Sequence, residues 1–230
     1  MSILFAIPCY GGIVSARTAI GMVDTGKELD RNNISHDFLM VSNQSLISKG
    51  RSEIANHFVN NTKYDYIMWI DSDIGFSAGD IAKLYNLKEQ HTMATYRHKV
   101  QNVKYSYTLV LDKGKPLWHN TNIAVKVLRN VGGFSLIHRS VFEKLNTVYK
   151  DLKYVPDTSS RKVSERELTN SIHYYETPIK NGQILPEDFA FQEKCTECGI
   201  DMWMVPSIKL IHNGNTDFVN DDIETTIRSI

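Results

Sequence analysis

Long apolar runs are missing from this sequence. No stretch approaches the roughly 18 to 20 consecutive apolar residues that a membrane-spanning helix needs. The opening "MSILFAIPCYGG" carries no basic segment and meets Pro8 and two glycines after a short apolar run, so it reads as a strand and turn, not a secretory leader. A cytoplasmic protein is the expectation. Cysteine is scarce as well. Cys9, Cys195 and Cys198 are too few for a disulfide framework, and the single C-x-x-C has no second ligand pair with which to build a zinc site. Net charge is absent, with Lys+Arg 26 against Asp+Glu 26. That balance argues against a nucleic-acid partner held by bulk positive charge, though a local basic groove passes the same test.

What is present is an alternation. "SILFAIP" reads as a strand, and residues 13 to 30 have helical spacing with Ile13, Ala16, Ile20 and Val23 on one side. "HDFLMVS" is a second strand, residues 45 to 60 a second helix, "YIMWI" a third strand, and "SAGDIAKLYNLKE" a third helix with Ser77 at its N-cap. This β-α-β-α-β-α order predicts a parallel, doubly wound sheet, and the unbroken apolar character of "YIMWI" suits a strand covered on both faces. Past residue 99 the texture changes. "KYSYTLVLDKGKPLWHN" reads as a hairpin around "DKGK", "NIAVKVLRNVGGF" as a strand and glycine turn, and "SVFEKL" as a short helix. Residues 148 to 184 are tyrosine-rich and aperiodic and read as a long functional loop. Helix "PEDFAFQEKCTECG" and strands "DMWMVP" and "IKLIH" follow, with a polar tail from Asn213.

The third strand raises a chemical question, because it runs straight into "DSD". Carboxylates at a strand end are costly to desolvate unless paired or bound to a cation. If the extended backbone persists, Asp71 and Asp73 share one side and Ser72 takes the other. Two hard oxygen ligands side by side suit Mg²⁺ or Mn²⁺, although a pair of turn-forming aspartates before the next helix fits the same letters. In "ISKGRSEIANHFV", Ile47, Ile54, Ala55 and Phe58 form an apolar stripe with Arg51 in its middle. Arg51 either snorkels outward or aims its fork at a carboxylate or phosphate.

With these residues in view, "GRSEIANHFVNNTKYDYIMWIDSDIGFSAGDIAKL" resembles the D-x-D segment of GT-A fold glycosyltransferases. Three later stretches agree in order. "GGFSLIHRSVFEKL" is similar to the turn, strand and helix that floor the acceptor site, "PEDFAFQEKCTECGIDMWMVP" to the acidic helix start and strand, and "IHNG" to the late histidine that completes the metal site. The resemblance spans roughly residues 1 to 214. It implies a GT-A-like, Rossmann-like doubly wound mixed sheet with an appended acceptor-side β and loop region. The expected division is a nucleotide-sugar half at 1–99, an acceptor half at 100–214 and a C-terminal tail at 215–230, all within a single domain.

The resemblance also implies roles. Asp73 would hold a divalent ion bridging the donor diphosphate, Asp71 would meet the ribose or the ion, and His212 would be a third ligand, favouring Mn²⁺ over Mg²⁺. Pro8, Tyr10, Gly11 and Asn43 would line the nucleoside, with Ser72, Arg51 and Lys99 completing the donor contacts. Gly132, Gly133 and Phe134 would floor the acceptor. Asp188 would be the general base and Glu187 would orient the acceptor, or the two would exchange roles, although both also suit a helix first turn as plain charges. The implied activity is transfer from a nucleoside-diphosphate sugar, UDP most commonly, to a hydroxyl of a glycan or other acceptor, with inversion favoured. The 148 to 184 loop would close over the donor.

Three rivals remain. A sugar nucleotidyltransferase calls for a glycine-rich basic loop after the first strand, and "PCYGGIVSAR" offers only Arg17. A glycoside hydrolase leaves the strand-end D-x-D unexplained. A non-catalytic glycan- or nucleotide-binding protein of the same fold would be expected to lose an aspartate or the late histidine, and all are present.

Overall fold

The computed structural model describes residues 1–42, 44–159, 162–220 and 223–230. Its first half follows the expected alternation: β1 (Ser2–Cys9), α1 (Ala16–Arg31), β2 (Ser35–Ser42), α2 (Ile47–Asn61), β3 (Tyr66–Ile70), a short β4 (Ile74–Gly75), α3 (Ala78–Asn86) and β5 (His91–Met93). At the start of α3 the Asp80 carboxylate accepts from both the backbone N–H and the hydroxyl of Ser77, closing a capping box.

The second half supplies β6 (Tyr107–Leu109), a small hairpin of β7 (Leu111–Asp112) and β8 (Lys115–Pro116), β9 (Val125–Asn130), β10 (Phe134–His138) and α4 (Arg139–Val148). Then come α5 (Glu165–Asn170), a hairpin of β11 (Ile179–Lys180) and β12 (Gln183–Ile184), α6 (Glu187–Glu197), β13 (Met202–Met204), β14 (Ile211–Asn213), β15 (Asp217–Val219) and α7 (Ile223–Arg228). The "DKGK" turn places Lys113 and Gly114 both at positive φ, which suits a two-residue hairpin.

Eight strands form one sheet in the order β2-β1-β3-β10-β5-β13-β9-β6. β1, β2 and β3 are parallel to one another, and β5 is parallel to β13. β10 runs antiparallel between β3 and β5, and the far edge is antiparallel. The expected α/β class and mixed sheet are borne out. Both faces are covered. Ile3, Phe5 and Ile7 of β1 pack toward α1 and α3, while Leu4 and Ala6 pack toward α2, α4 and α6. A three-stranded antiparallel sheet, β15-β14-β4, caps the carboxyl end of β3.

Four expectations need correction. The stripe read on α1 faces the wrong way: Ile13, Ile20 and Val23 are exposed at 72%, 62% and 56%, Ala16 is exposed too, and the buried residues are Thr18, Gly21, Thr25 and Leu29. The reason is close approach. The Thr18 hydroxyl donates to the Ile74 carbonyl at 2.9 Å, and a Cβ on Gly21 would lie 2.8 Å from the Phe76 carbonyl oxygen. The stretch 148 to 184 is not one loop. Tyr174 and Tyr175 are core residues, and the Asn56 amide pairs with both the N–H and C=O of Ile172 at 2.9 Å, standing in for a neighbouring strand. Residues read as a polar tail form β15 and α7, whose Ile223 and Ile227 are buried. The strand read as "IKLIH" begins only at Ile211.

Candidate functional site

The site begins where β3 ends. The extended backbone stops at Ile70 and resumes at Ile74, so residues 71–73 turn, and the two carboxylates do not share one set of partners. The turn is fixed through its backbone. The Asp71 N–H donates to the Gly133 carbonyl, and the Ser72 and Asp73 carbonyls accept from the N–H groups of Ser15 and Asn213, each at 2.8 Å.

Asp71 points at a buried cation. Arg51, 3% exposed, donates through Nη2 to Asp71 Oδ1 at 2.6 Å, and its Nε lies 3.4 Å from Glu187 Oε1. The inward reading of Arg51 is therefore the one observed. Burial alone would lower its proton affinity, but the charges of Asp71 and Glu187 outweigh that and raise it. The second oxygen of Asp71 accepts from the Tyr96 hydroxyl at 2.9 Å. Tyr96 escaped the sequence reading; its one signal is a position just past the end of β5, at the sheet edge where ligands bind. Burial and then the Asp71 charge drive its phenol well above the usual range, so it stays a donor.

Asp73 faces the other way, toward Lys99, with which it is ion-paired, and toward His212, whose Nε2 lies 3.4 Å from Asp73 Oδ2. Burial pulls the Asp73 carboxyl up, but the hydrogen bonds from His212 and Lys99 prevail and hold it below the ordinary value. His212 Nδ1 donates to the Arg97 carbonyl at 2.8 Å, which leaves Nε2 as the lone-pair nitrogen whenever the ring is neutral. A carboxylate beside an imidazole whose far N–H is held by a carbonyl is a donor set that fits a divalent ion completed by ligand oxygens and water. Asp71 is turned instead toward Arg51 and Tyr96. Among the described residues, no three histidine, cysteine or acidic side chains converge as a ready-made metal cluster.

The acidic start of α6 closes the site. Asp188 Oδ2 accepts from the Gly132 N–H at 3.0 Å, and Oδ1 from its own helix at Phe189, 2.8 Å. Burial, then the adjacent Glu187 charge, push its carboxyl up to about 6, against the pull of Arg51 and of those two N–H groups. The two glycines of the β9–β10 turn are sterically required. A Cβ on Gly132 would lie 2.7 Å from Asp188 Cβ, and one on Gly133 would lie 2.0 Å from Asp71 Oδ2. Phe134, expected beside them, is fully buried with its ring 5.3 Å from Phe76, so the structure does not bring it to the cleft.

A cleft of about 380 Å³ is lined by Pro8, Tyr10, Arg51, Asp71, Ser72, Asp73 and Glu187. Gln44, another residue that went unread, lines it too and donates to Glu53 at 2.9 Å. Tyr10, 81% exposed, stands at the rim. Gly11 takes positive φ in the turn after β1. Asn43 lies outside the described residues. A larger depression, about 440 Å³, lies between α1 and the start of α3, where Arg17 and Lys83 are already paired with Asp217 and Asp80. It gathers no comparable chemistry.

No family model matches the chain, and no curated protein matches it. Among solved structures it is similar to A197 from STIV, over 96% of this chain and 95% of that one, at 16% identity and a TM-score of 0.52. The mixed α/β sheet with helices on both faces is the arrangement expected from the sequence. Weaker likenesses include the catalytic domain of Drosophila beta1,4galactosyltransferase 7 in complex with xylobiose, at 14% identity over 95% of this chain and 69% of that one, TM-score 0.39. GalNAc-T7 with UDP, GalNAc and Mn²⁺ is matched at 10% identity over 91% of this chain and 42% of that one, TM-score 0.46. Among the described residues, no helix is long and apolar enough to cross a membrane.

Proposed function

We propose that this chain transfers a sugar from a nucleoside-diphosphate sugar to an acceptor hydroxyl, with a divalent ion held at Asp73 and His212. One observation carries the reading: the acidic end of β3 and the acidic start of α6 meet in one cleft across a single buried arginine.

When bound, the ion supplies Lewis-acid stabilisation of the charge that grows on the departing diphosphate. The rest falls to side chains. Arg51 pairs with both Asp71 and Glu187, so that three charges are held in place before substrate arrives. Tyr96 holds the Asp71 carboxylate from the other side, in space that Gly133 leaves by having no Cβ. Asp188 keeps a free lone pair on each oxygen after accepting its two backbone N–H groups, and there it takes the proton of the attacking hydroxyl. A base with a raised pKa suits that step better than an ordinary carboxylate, because its proton affinity lies closer to neutrality. Direct attack with such a base gives inversion. The Pro8, Tyr10 and Ser72 surface of the cleft would receive the nucleoside.

A thermal-shift screen of nucleotide sugars with and without Mn²⁺ tests this. A ligand at one hundred times its Kd stabilises the folded state by about 2.7 kcal/mol, so a true donor stands out. The expected result is a donor-specific rise in Tm that needs Mn²⁺ and disappears in Asp73→Asn. A screen in which no nucleotide sugar shifts the wild-type protein, or in which Asp73→Asn shifts equally, refutes the assignment.

A further inference from the structure

We propose that Lys99 is a built-in placeholder for the divalent ion: its ammonium neutralises Asp73 in the metal-free protein, leaves Asp73 when metal binds, and then takes a diphosphate oxygen. The inference rests on the reading of Asp73 and His212 as the residues that hold the ion.

Asp73 Oδ2 and His212 Nε2 face each other at 3.4 Å, and the Arg97 carbonyl commits the only N–H of a neutral ring to Nδ1. A half-exposed carboxylate in a cleft is costly to hold without a cation beside it. Lys99 is that cation. Asp71 has no such need, since Arg51 and Tyr96 already satisfy both its oxygens.

The chain segment that supplies the lysine also aims the histidine, because Arg97 and Lys99 are two residues apart. It is braced as a unit: the Arg97 guanidinium donates to the Val100 and Gln101 carbonyls, His98 bonds Ser106 at 2.7 Å, and the His98 N–H donates to the Lys104 carbonyl at 2.9 Å. The Lys99 stem is seated against Gly214, where an added Cβ would lie 3.2 Å from Cδ. The stem lies beside Gly214 while the ammonium, at a pair exposed by 37% on each side, can swing at small cost. A metal ion and an ammonium compete for the same carboxylate oxygen, whereas a diphosphate and an ammonium attract. Removing the lysine charge therefore acts with opposite sign on the two ligands.

The test uses the full chain and two probes, Mn²⁺ alone, followed by the paramagnetic signal of the free ion, and inorganic pyrophosphate titrated calorimetrically into Mn²⁺-saturated protein. Lys99→Met is expected to bind Mn²⁺ up to about fivefold tighter, the measure of an exposed ion pair that no longer has to be broken, and to bind pyrophosphate more weakly. Lys99→Arg, which keeps the charge, is expected to follow wild type in both. Asp73→Asn separates the two levels. If it binds Mn²⁺ as well as wild type, the metal reading beneath the inference fails. If it loses Mn²⁺ while Lys99→Met binds the ion no tighter, or while both lysine variants behave alike, the placeholder assignment is overturned and the metal reading stands.

Discussion

Asp188 is the residue whose environment says most about its task. Its carboxyl is moved from 3.8 to about 6 by burial and by Glu187, so its ionised form is held in the fold at a cost. A folded-state value above the unfolded one favours the fold fully below pH 3.8 and loses that advantage as pH rises through about 6. Asp188→Asn is therefore expected to unfold at higher denaturant than wild type at pH 8, by roughly 1–2 kcal/mol, with the difference vanishing toward pH 3.5. The same variant is expected to lose about 10²- to 10⁴-fold in transfer. Under the proposed role, transfer by the wild-type protein is expected to fall with acid below pH about 6 as Asp188 takes up a proton. Stability unchanged by the substitution at pH 8, with transfer intact, would remove both the strain and the role. At this scale Asp71, Asp73, Arg51 and Asp188 were legible as letters. Their pairing was not, because it depends on a turn at 71–73 that the apolar strand before it does not foretell.

At the scale of elements, the strand–helix alternation was read from periodicity, and the failures have a common cause. On α1, small and hydroxylated residues, not the isoleucines, face the sheet, because the helix approaches β4 at backbone distance. On α2, Ser52 and Asn56 lie outside the apolar stripe read from the sequence, yet both are buried and act as backbone partners for residues 172–175, with the Tyr175 N–H donating to Ser52 Oγ at 3.1 Å. Hydrophobic spacing carries no signal for a helix that packs through hydrogen bonds. The reversed face of α1 makes a direct prediction. Gly21→Ala forces a methyl against the Phe76 carbonyl and is expected to cost about 1–3 kcal/mol in urea unfolding. Ile20→Ser, on the outer face, is expected to stay within about 0.5 kcal/mol of wild type. A reversed order of the two would put the helix the other way round.

At the scale of the molecule, the strand order interleaves what the sequence keeps apart. β10 sits between β3 and β5, and Arg51 ties residues from both sides of position 99. The prediction is one cooperative transition. Variants retaining only Trp69 on β3, or only Trp203 on β13, should report the same denaturation midpoint. Two separated midpoints would mean that the halves melt independently. Composition and order gave the class of this architecture, but the insertion of β10 is a long-range pairing that no local pattern encodes.

That interleaving bears on how such a protein can change over generations. A crossover that joined the first hundred codons of one gene to the remainder of a diverged cousin would strand a guanidinium between mismatched acids and misfit the middle ribbon of the sheet. Changes in what the cleft receives must then come by point substitution or by lengthening outward loops such as the β11–β12 hairpin, and the two sides of the cleft descend together.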